Sequence, residues 1–470
     1  MRKKQKPDII IKNLYITEAG SEGVCIGKYE ERVVFVPYVV PGDIIDAQVI
    51  KKKRSYYQAK AIAVHSCSPN RVSPRCEHFG LCGGCKWQNM NYELQLHYKR
   101  KQVIDNFQRI GKFNFPEVNP IMPSDLIFAY RNKVEYTFSN RRWLSKEEMS
   151  DMDTDLVDSN GLGFHLPGMF DKILDIHHCD LHNELGNDIR NAIKQYAIEH
   201  KLSFWNARSQ TGLLRNVIIR TSTNGEIMVI VVLTAFEAET EALLSFLEKQ
   251  FPQITSILYV ENTKKNDAIT DLSAKVYYGN DFLMEQMGNL KFKVAPLAFY
   301  QTNASQALKL YEAAIRLADM DGTQNVYDLY TGTGTIALFA AKHAKKVTGI
   351  EYVESAIDAA VENAKLNHIE NVCFFAGDMV KILTDEFIAF NGIPDVVITD
   401  PPRAGMHPKV VNQLLKIIPQ RIVYVSCNPA TQARDIALLA HKYTVKEVQP
   451  IDMFPHTQHV ENIALLIADN

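Results

Sequence analysis

From about residue 300 onward, short apolar runs alternate with helix-forming stretches. No other feature of the chain constrains its fold as strongly. VYDLYTG, KVTGIEYV, VCFFAGD, DVVITDPP and RIVYVSC read as strands, with helices predicted at 334–344 and 354–367. These strands are apolar at successive positions rather than at alternate ones, as expected of parallel strands buried on both faces. The pattern predicts a doubly wound α/β domain, which takes its ligands at the carboxyl ends of its strands.

The first of those ends is a glycine turn. Gly332-Thr333-Gly334-Thr335-Ile336-Ala337 follows a strand and opens a helix. Small residues let the backbone approach a ligand, and the helix start offers unpaired amides. Glu351 ends the next strand, 19 residues after Gly332, where a carboxylate can accept both hydroxyls of a ribose. NAD and S-adenosylmethionine both satisfy these two features. Asp378, after VCFFAG, and Asp400, in Asp400-Pro401-Pro402-Arg403, add carboxylates at two further strand ends. The two prolines stiffen the loop and remove two backbone donors. Acids at three strand ends suit an adenosyl ligand without phosphates better than a dinucleotide.

At 470 residues the chain is too long for a single core, and its composition is that of an ordinary globular protein. It contains no apolar run of 18 residues, so no membrane association is expected. The basic start MRKKQKPD lacks the apolar stretch of a secretory signal, which predicts a cytoplasmic protein. Residues 1–112 carry 20 Lys and Arg against 10 Asp and Glu, while the remaining 358 residues carry 32 against 44. A basic front on an acidic body is the pattern of a local polyanion-binding module. IIIKNLYI, VVFVPYVV, IIDAQVI and YYQAKAIAV, separated by turns, predict a small closed β-barrel over residues 1–64. Lys51-Lys52-Lys53-Arg54 beside Tyr56 and Tyr57 offers cations for phosphates; the two rings suit either base stacking or the core. NYELQLHYKRKQVIDNFQRIG predicts a helix capped at Gly111. KVEYTFS, RNVIIRTS, IMVIVVLTAF and a helix near 238–250 predict an α+β central domain over 65–292, with loops at Pro123-Ser124 and 146–161. The α/β domain occupies 293–470.

Cys76, Cys82 and Cys85 lie within ten residues, with Cys179 following after 93 more. Three clustered thiols and one distant thiol suit a 4Fe-4S cluster or a structural zinc, with His178 as a possible fourth zinc ligand, and spacing does not choose between them. Cys25 and Cys67 fall outside the pattern.

DLYTGTGTIAL, DPPR at 400–403, SCNP at 426–429 and HVENIALL at 459–466 together resemble the RNA 5-methyluridine methyltransferases. The resemblance runs over essentially the whole chain and is to the iron–sulfur type acting on 23S ribosomal RNA. It implies a TRAM domain at the N-terminus, an S-adenosylmethionine-dependent class I methyltransferase domain of Rossmann-like fold at the C-terminus, and a 4Fe-4S cluster on Cys76, Cys82, Cys85 and Cys179. It also implies roles: Cys427 as nucleophile, Glu461 as proton acceptor, and Gln301, Tyr330, Gly332, Thr335, Glu351, Asp378 and Asp400 around the cofactor. Thr331 stands where many members carry Cys, and Thr335 where several carry Asn.

The chemistry explains why such residues are needed. Carbon 5 of uracil is a poor nucleophile until a thiolate adds to carbon 6. After methyl transfer a base must remove the carbon 5 proton before the thiol leaves. The expected activity is therefore RNA uracil-5-methylation by a monomer, on 23S ribosomal RNA or else on the T-loop of transfer RNA. Two rival readings are a non-catalytic cluster-bearing RNA-binding protein and an NAD-dependent redox enzyme. The first would have little reason to keep Cys427, Glu461, Asp400 and Gln301 together, and the second leaves SCNP without a task.

Overall fold

The computed structural model describes residues 9–144, 148 and 159–469, so most of the loop expected at 146–161 lies outside the described residues. Contacts group the chain into two units, residues 1–127 with 400–470, and residues 128–399.

In the first unit, β1 (Ile10–Ala19), β2 (Val24–Tyr29), β3 (Arg32–Pro37), β4 (Ile44–Lys52) and β5 (Tyr56–Ser66) close into a barrel in the order β1-β2-β3-β5-β4. Alternate residues point inward. Leu14, Ile16, Val34, Val36, Ile45, Ala47 and Val49 fill the interior, and Trp87, Met90 and Tyr98 from beyond the strands belong to the same core. Tyr57 is part of this core, so it is not a base-stacking ring, while Tyr56 packs edge-on against Phe35. Lys51 to Arg54 are exposed at the tip between β4 and β5. Asp43, in the Pro41-Gly42-Asp43 turn, is fully buried. Burial alone would raise its pKa, but the Arg71 guanidinium and the amides of Ser68 and Val40 hold it below the usual carboxylate range.

The helix Tyr92–Asn106 starts at Asn91, whose side chain accepts from the Leu94 amide at 2.9 Å. It ends in a wider turn, Phe107–Gly111, and the left-handed residue that closes it is Lys112 at φ 55°, not Gly111. Gly111 answers a different need, because a Cβ there would lie 2.4 Å from the Phe113 ring. After the DPPR loop the unit continues with β19 (Arg421–Ser426), β20 (Tyr443–Ile451) and β21 (Glu461–Ala468), with β21 antiparallel to both of the others. The helices Pro408–Ile417 and Pro429–Leu439 separate these segments, each with proline in the first turn, where its missing amide costs nothing.

The second unit holds a seven-stranded sheet in the order β12-β11-β10-β9-β6-β7-β8. It comprises β6 (Lys133–Ser139), β7 (Gly161–His165), β8 (Ile173–Asp175), β9 (Leu214–Thr221), β10 (Ile227–Leu233), β11 (Ser256–Glu261) and β12 (Lys275–Gly279). Only β10 and β11 pair in parallel, joined through the helix Ala238–Gln250. A hairpin of β13 (Leu283–Met287) and β14 (Leu290–Val294) leads to the helix Ala304–Ala318, capped by Asn303 as its capping-box pattern predicts.

Then come the parallel strands β15 (Asn325–Leu329), β16 (Lys346–Glu351), β17 (Val372–Ala376) and β18 (Val396–Thr399), in the order β17-β16-β15-β18. β15, β16 and β18 are buried almost throughout; β17, the outermost of the four, is only half-buried despite its apolar sequence. Chain order reverses at β15, whose sequence neighbours β16 and β17 lie on one side and β18 on the other. That reversal opens a crevice at the carboxyl end of β15. No helix among the described residues is long and apolar enough to cross a membrane.

Candidate active site

The crevice at β15 contains the glycine turn. Tyr330 and Gly332 adopt left-handed backbone at φ 67° and 55°, and Gly334 follows at φ 80°. Left-handed backbone strains a tyrosine, and the strain is held by the amides of Tyr330 and Thr331, which both donate to the Ile350 carbonyl at 3.0 Å. The two glycines do different jobs. A Cβ at Gly332 would meet no protein atom within 4 Å, so the turn leaves open space there. A Cβ at Gly334 would lie 2.9 Å from the Cβ of Ala360 and 3.0 Å from the Phe374 ring, so this glycine permits close helix–sheet packing.

Glu351 is the last residue of β16. One carboxylate oxygen accepts from the Gly332 amide at 3.2 Å and the other from the amides of Tyr352 and Val353 at 2.8 and 3.0 Å. Its position is therefore locked to the glycine turn, while the oxygen that faces Gly332 keeps lone-pair capacity for a ligand hydroxyl. Asp378 caps the short helix Met379–Ile382 through the Val380 amide at 3.0 Å. Thr335 is buried at the start of the helix Thr335–Ala341. Asn132, which sequence reasoning passed over, fixes the backbone around Gln301. Its side chain donates to the Gln301 carbonyl at 3.0 Å, and its amide donates to the Thr302 carbonyl at 2.9 Å. The open cradle at Gly332 and the anchored acid beside it fit the adenosine and amino-acid ends of S-adenosylmethionine.

The first unit carries Asp400, Arg403, Cys427 and Glu461. β19 pairs with β21 so that Ser426 lies opposite Asn462. Cys427 directly follows the last pair on β19 and Glu461 directly precedes it on β21, so the register brings the two residues to the same end of the ladder. Gln432 fastens the two strands to each other: its side-chain amide donates to the Tyr424 and Asn462 carbonyls at 2.8 and 3.2 Å, and its oxygen accepts from the Asn462 side chain at 2.7 Å.

Asn428, after the cysteine, caps the helix Pro429–Leu439 and donates to the Arg403 carbonyl at 3.0 Å. Thr431 Oγ1 donates to the same carbonyl at 3.2 Å. The DPPR loop is thus tied to the SCNP turn, and Asp400, Arg403, Cys427 and Glu461 form one electrostatic group. Burial pushes Asp400 up to about 7. Burial, with the Asp400 charge added, pushes Glu461 up to about 8, against the pull of Arg403. Burial and the two carboxylates push the Cys427 thiol up to about 11, again with Arg403 opposing. Arg403 is a residue whose part sequence reasoning did not assign, although DPPR was read as a motif.

The cysteine loop of the same unit turns amide donors onto its sulfurs. The Gly84 amide donates to Cys82 Sγ and the Gln88 side chain to Cys85 Sγ, both at 3.3 Å. Gln88 also accepts from the Cys76 amide at 3.0 Å. Amides that donate to sulfur are contacts of the kind that metal- or cluster-bound cysteines accept. In the second unit the Cys179 amide donates to Asn187 Oδ1 at 2.8 Å, and the Asn187 side chain donates back to the Cys179 carbonyl at 3.2 Å.

Residues 268–469 match the family profile described as tRNA (uracil-5-)-methyltransferase. An uncharacterized RNA methyltransferase of Bacteroides thetaiotaomicron is 54% identical, over 95% of this chain and 99% of the relative. A second, from Porphyromonas gingivalis, is 50% identical over 96% and 99%. The crystal structure of the tRNA (uracil-54, C5)-methyltransferase of Pyrococcus abyssi with S-adenosyl-L-homocysteine superposes with a TM-score of 0.75 at 29% identity, covering 97% of this chain and 100% of that one.

Proposed function

This chain belongs to the RNA (uracil-5-)-methyltransferase family, and we propose that it methylates carbon 5 of a uridine in RNA with S-adenosylmethionine as donor. The observation that carries the mechanism is the β19–β21 register, which ends with Cys427 and Glu461 flanking its last pair, inside the group formed with Asp400 and Arg403. Bound S-adenosylmethionine supplies the methyl group and a positive charge. Gly332, Glu351, Asp378, Asp400, Gln301, Tyr330 and Thr335 are the residues we assign to holding it.

Cys427 Sγ adds to carbon 6 of the uracil, and carbon 5 takes the methyl group. Glu461 then removes the carbon 5 proton, and Cys427 departs as the ring double bond reforms. A glutamate pushed up to about 8 is a far stronger base than a solvated one, which suits abstraction of a proton from carbon. The guanidinium of Arg403 stabilises the negative charge that Cys427 carries before addition. Uracil carbon 6 is hidden in a stacked helix, so the target uridine is unstacked, as in a loop.

The barrel over residues 1–64 we read as a TRAM-like RNA-binding module, 65–292 as the central domain and 293–470 as the methyltransferase domain. The exposed cations Lys51 to Arg54 provide phosphate contacts. Cys76, Cys82, Cys85 and Cys179 we assign to a 4Fe-4S cluster with a structural task, since methyl transfer involves no net electron transfer. The substrate we favour is 23S ribosomal RNA in the cytoplasm. Transfer RNA is the second candidate, supported by the similarity to the Pyrococcus abyssi enzyme, a tRNA (uracil-54, C5)-methyltransferase.

The test combines Cys427→Ala and Glu461→Gln with total RNA from a strain lacking the gene. Cys427→Ala should bind cofactor and RNA without turnover. Glu461→Gln should leave an RNA–protein adduct that survives a denaturing gel. Methylation by Cys427→Ala at the normal rate would overturn the mechanism.

A further inference from the structure

Glu461 is the first residue of β21 and pairs with Ile451 at the end of β20, and the connection between the two, residues 452–460, closes the ladder at that end and shares in placing Glu461. That connection is tied down along its length. Lys99 and Asp452 are both fully buried; Lys99 Nζ donates to Asp452 Oδ1 at 2.5 Å and to the Phe454 carbonyl at 2.9 Å. Tyr92 OH donates to Asp452 Oδ2 at 2.8 Å. The Thr457 hydroxyl donates to the Phe454 carbonyl at 2.7 Å and accepts from the His459 amide at 3.3 Å.

The central tie is at His456, which is buried and holds left-handed backbone at φ 66°. Left-handed backbone is uncommon for a residue with a side chain, even though histidine tolerates it better than most, and it persists where the surroundings fix it. Here the His456 amide donates to Gln95 Oε1 at 2.8 Å, while its carbonyl accepts from the amides of Lys86 and Trp87 at 2.9 and 3.0 Å. Gln95, itself fully buried, donates to the Trp87 and Met90 carbonyls at 3.1 and 2.8 Å. Lys86 directly follows Cys85. The amides that hold His456 are therefore continuous in sequence with the cysteine loop, and His456 lies five residues before Glu461.

The geometry points to a positioning role in proton abstraction for Gln95 and for the end of the cysteine loop: they clamp His456 and so hold Glu461 at carbon 5. The inference rests on the reading of Glu461 as the base. A base that takes a proton from carbon must be held to within about 0.5 Å, which a nine-residue connection achieves only when it is anchored. Cys427, which directly follows β19, is delivered by that strand and not by this connection. Loosening the clamp should therefore spare thiolate addition and methyl transfer while slowing elimination. A general packing defect would slow every step together.

The experiment uses the full-length protein as isolated, with S-adenosylmethionine and total RNA from a strain lacking the gene. Gln95→Met should lower kcat at least tenfold, keep the Kd for S-adenosylmethionine within twofold, and accumulate the RNA–protein adduct on a denaturing gel. Adding His456→Gly, which relieves the left-handed strain, should restore part of the turnover. Thr457→Val, a milder lesion in the same connection, should give the same adduct at a lower level and keeps the test decisive if Gln95→Met does not fold. Folded variants that turn over normally, or that lose adduct formation along with turnover, would overturn the inference. Glu461→Gln is the control: if it forms no adduct, the assignment of the base has failed, not the clamp.

Discussion

Replacing Glu461 by Gln should stabilise this protein, and by an amount that grows with pH. Glu461 is only 6% exposed, and burial with the neighbouring Asp400 raises it from 4.5 to about 8. An acid with a raised folded-state pKa binds its proton more tightly in the folded chain than in the unfolded one. Its stabilising contribution is therefore complete below the unfolded value near 4.5 and is lost as pH climbs through about 8. Gln has the same shape and no such loss. At about 1.36 kcal/mol per pH unit, the rise sets a ceiling of roughly 5 kcal/mol on the difference above pH 8. Asp400 faces the same space and shares part of that cost, so roughly 2–3 kcal/mol is expected for Glu461→Gln alone. In a unit of this size each kcal/mol moves Tm by about 2–4 °C, so the gap should reach about 4–12 °C. The assay is thermal unfolding of both proteins, without ligands, at intervals from pH 5 to pH 9. The two curves should converge toward pH 5, separate steadily from there to about pH 8 and run parallel above it. A gap that is constant with pH, or a variant less stable at pH 9, would refute the argument, because either result means that Glu461 is not an acid held against its charge.

Three other outcomes follow from the geometry. Gly332→Val fills open space, so it should weaken S-adenosylmethionine binding by calorimetry at least tenfold and cost about 1–3 kcal/mol of stability from the positive φ alone; Gly334→Ala carries positive-φ strain and also meets Ala360 and Phe374, so it should cost about 2–5 kcal/mol. Changing Lys51, Lys52, Lys53 and Arg54 to Ala should flatten the slope of log affinity for RNA against log salt by roughly 3, since each phosphate contact to a single strand contributes about 0.7, with cofactor affinity unchanged in the same titrations. Lys99→Met leaves Asp452 buried without its cation and should cost about 3–5 kcal/mol by denaturant unfolding, whereas Lys99→Met with Asp452→Leu should recover much of that loss.

Local signals in the sequence read well where one residue type answers one local need. The glycine turn, the acid at the end of β16, the Asn303 cap and four of the five barrel strands fall where their neighbours in sequence require them, while β2, interrupted by Gly27, is not singled out by its sequence. What the sequence conceals depends on contacts from elsewhere. Gly111 has the place of a helix cap because it ends a helical run, yet a wider turn carries the chain on to Lys112, and the glycine serves the Phe113 ring. Tyr57 beside four cations has the setting of a base-stacking ring, but strand alternation turns it into the barrel core, beside Trp87, Met90 and Tyr98 from outside the barrel strands.

The candidate site is only half legible for the same reason. Ser-Cys-Asn-Pro and the DPPR loop stand out as motifs, but 33 residues separate Cys427 from Glu461, and only the antiparallel return of β21 against β19 brings them to one end of the ladder. The support of Glu461 is not legible at all. Gln95 and Lys99 lie in a helix rich in polar residues, where each would ordinarily sit on a solvated face, and yet both are fully buried. A polar side chain remains buried only when its bonds are met, and here they are met by Asp452, Phe454 and His456, more than 350 positions away. Such residues are costly to bury and contribute little net stability, so their presence is better explained by the geometry they enforce than by the energy they supply. The geometry in this case is that of the connection that ends at Glu461.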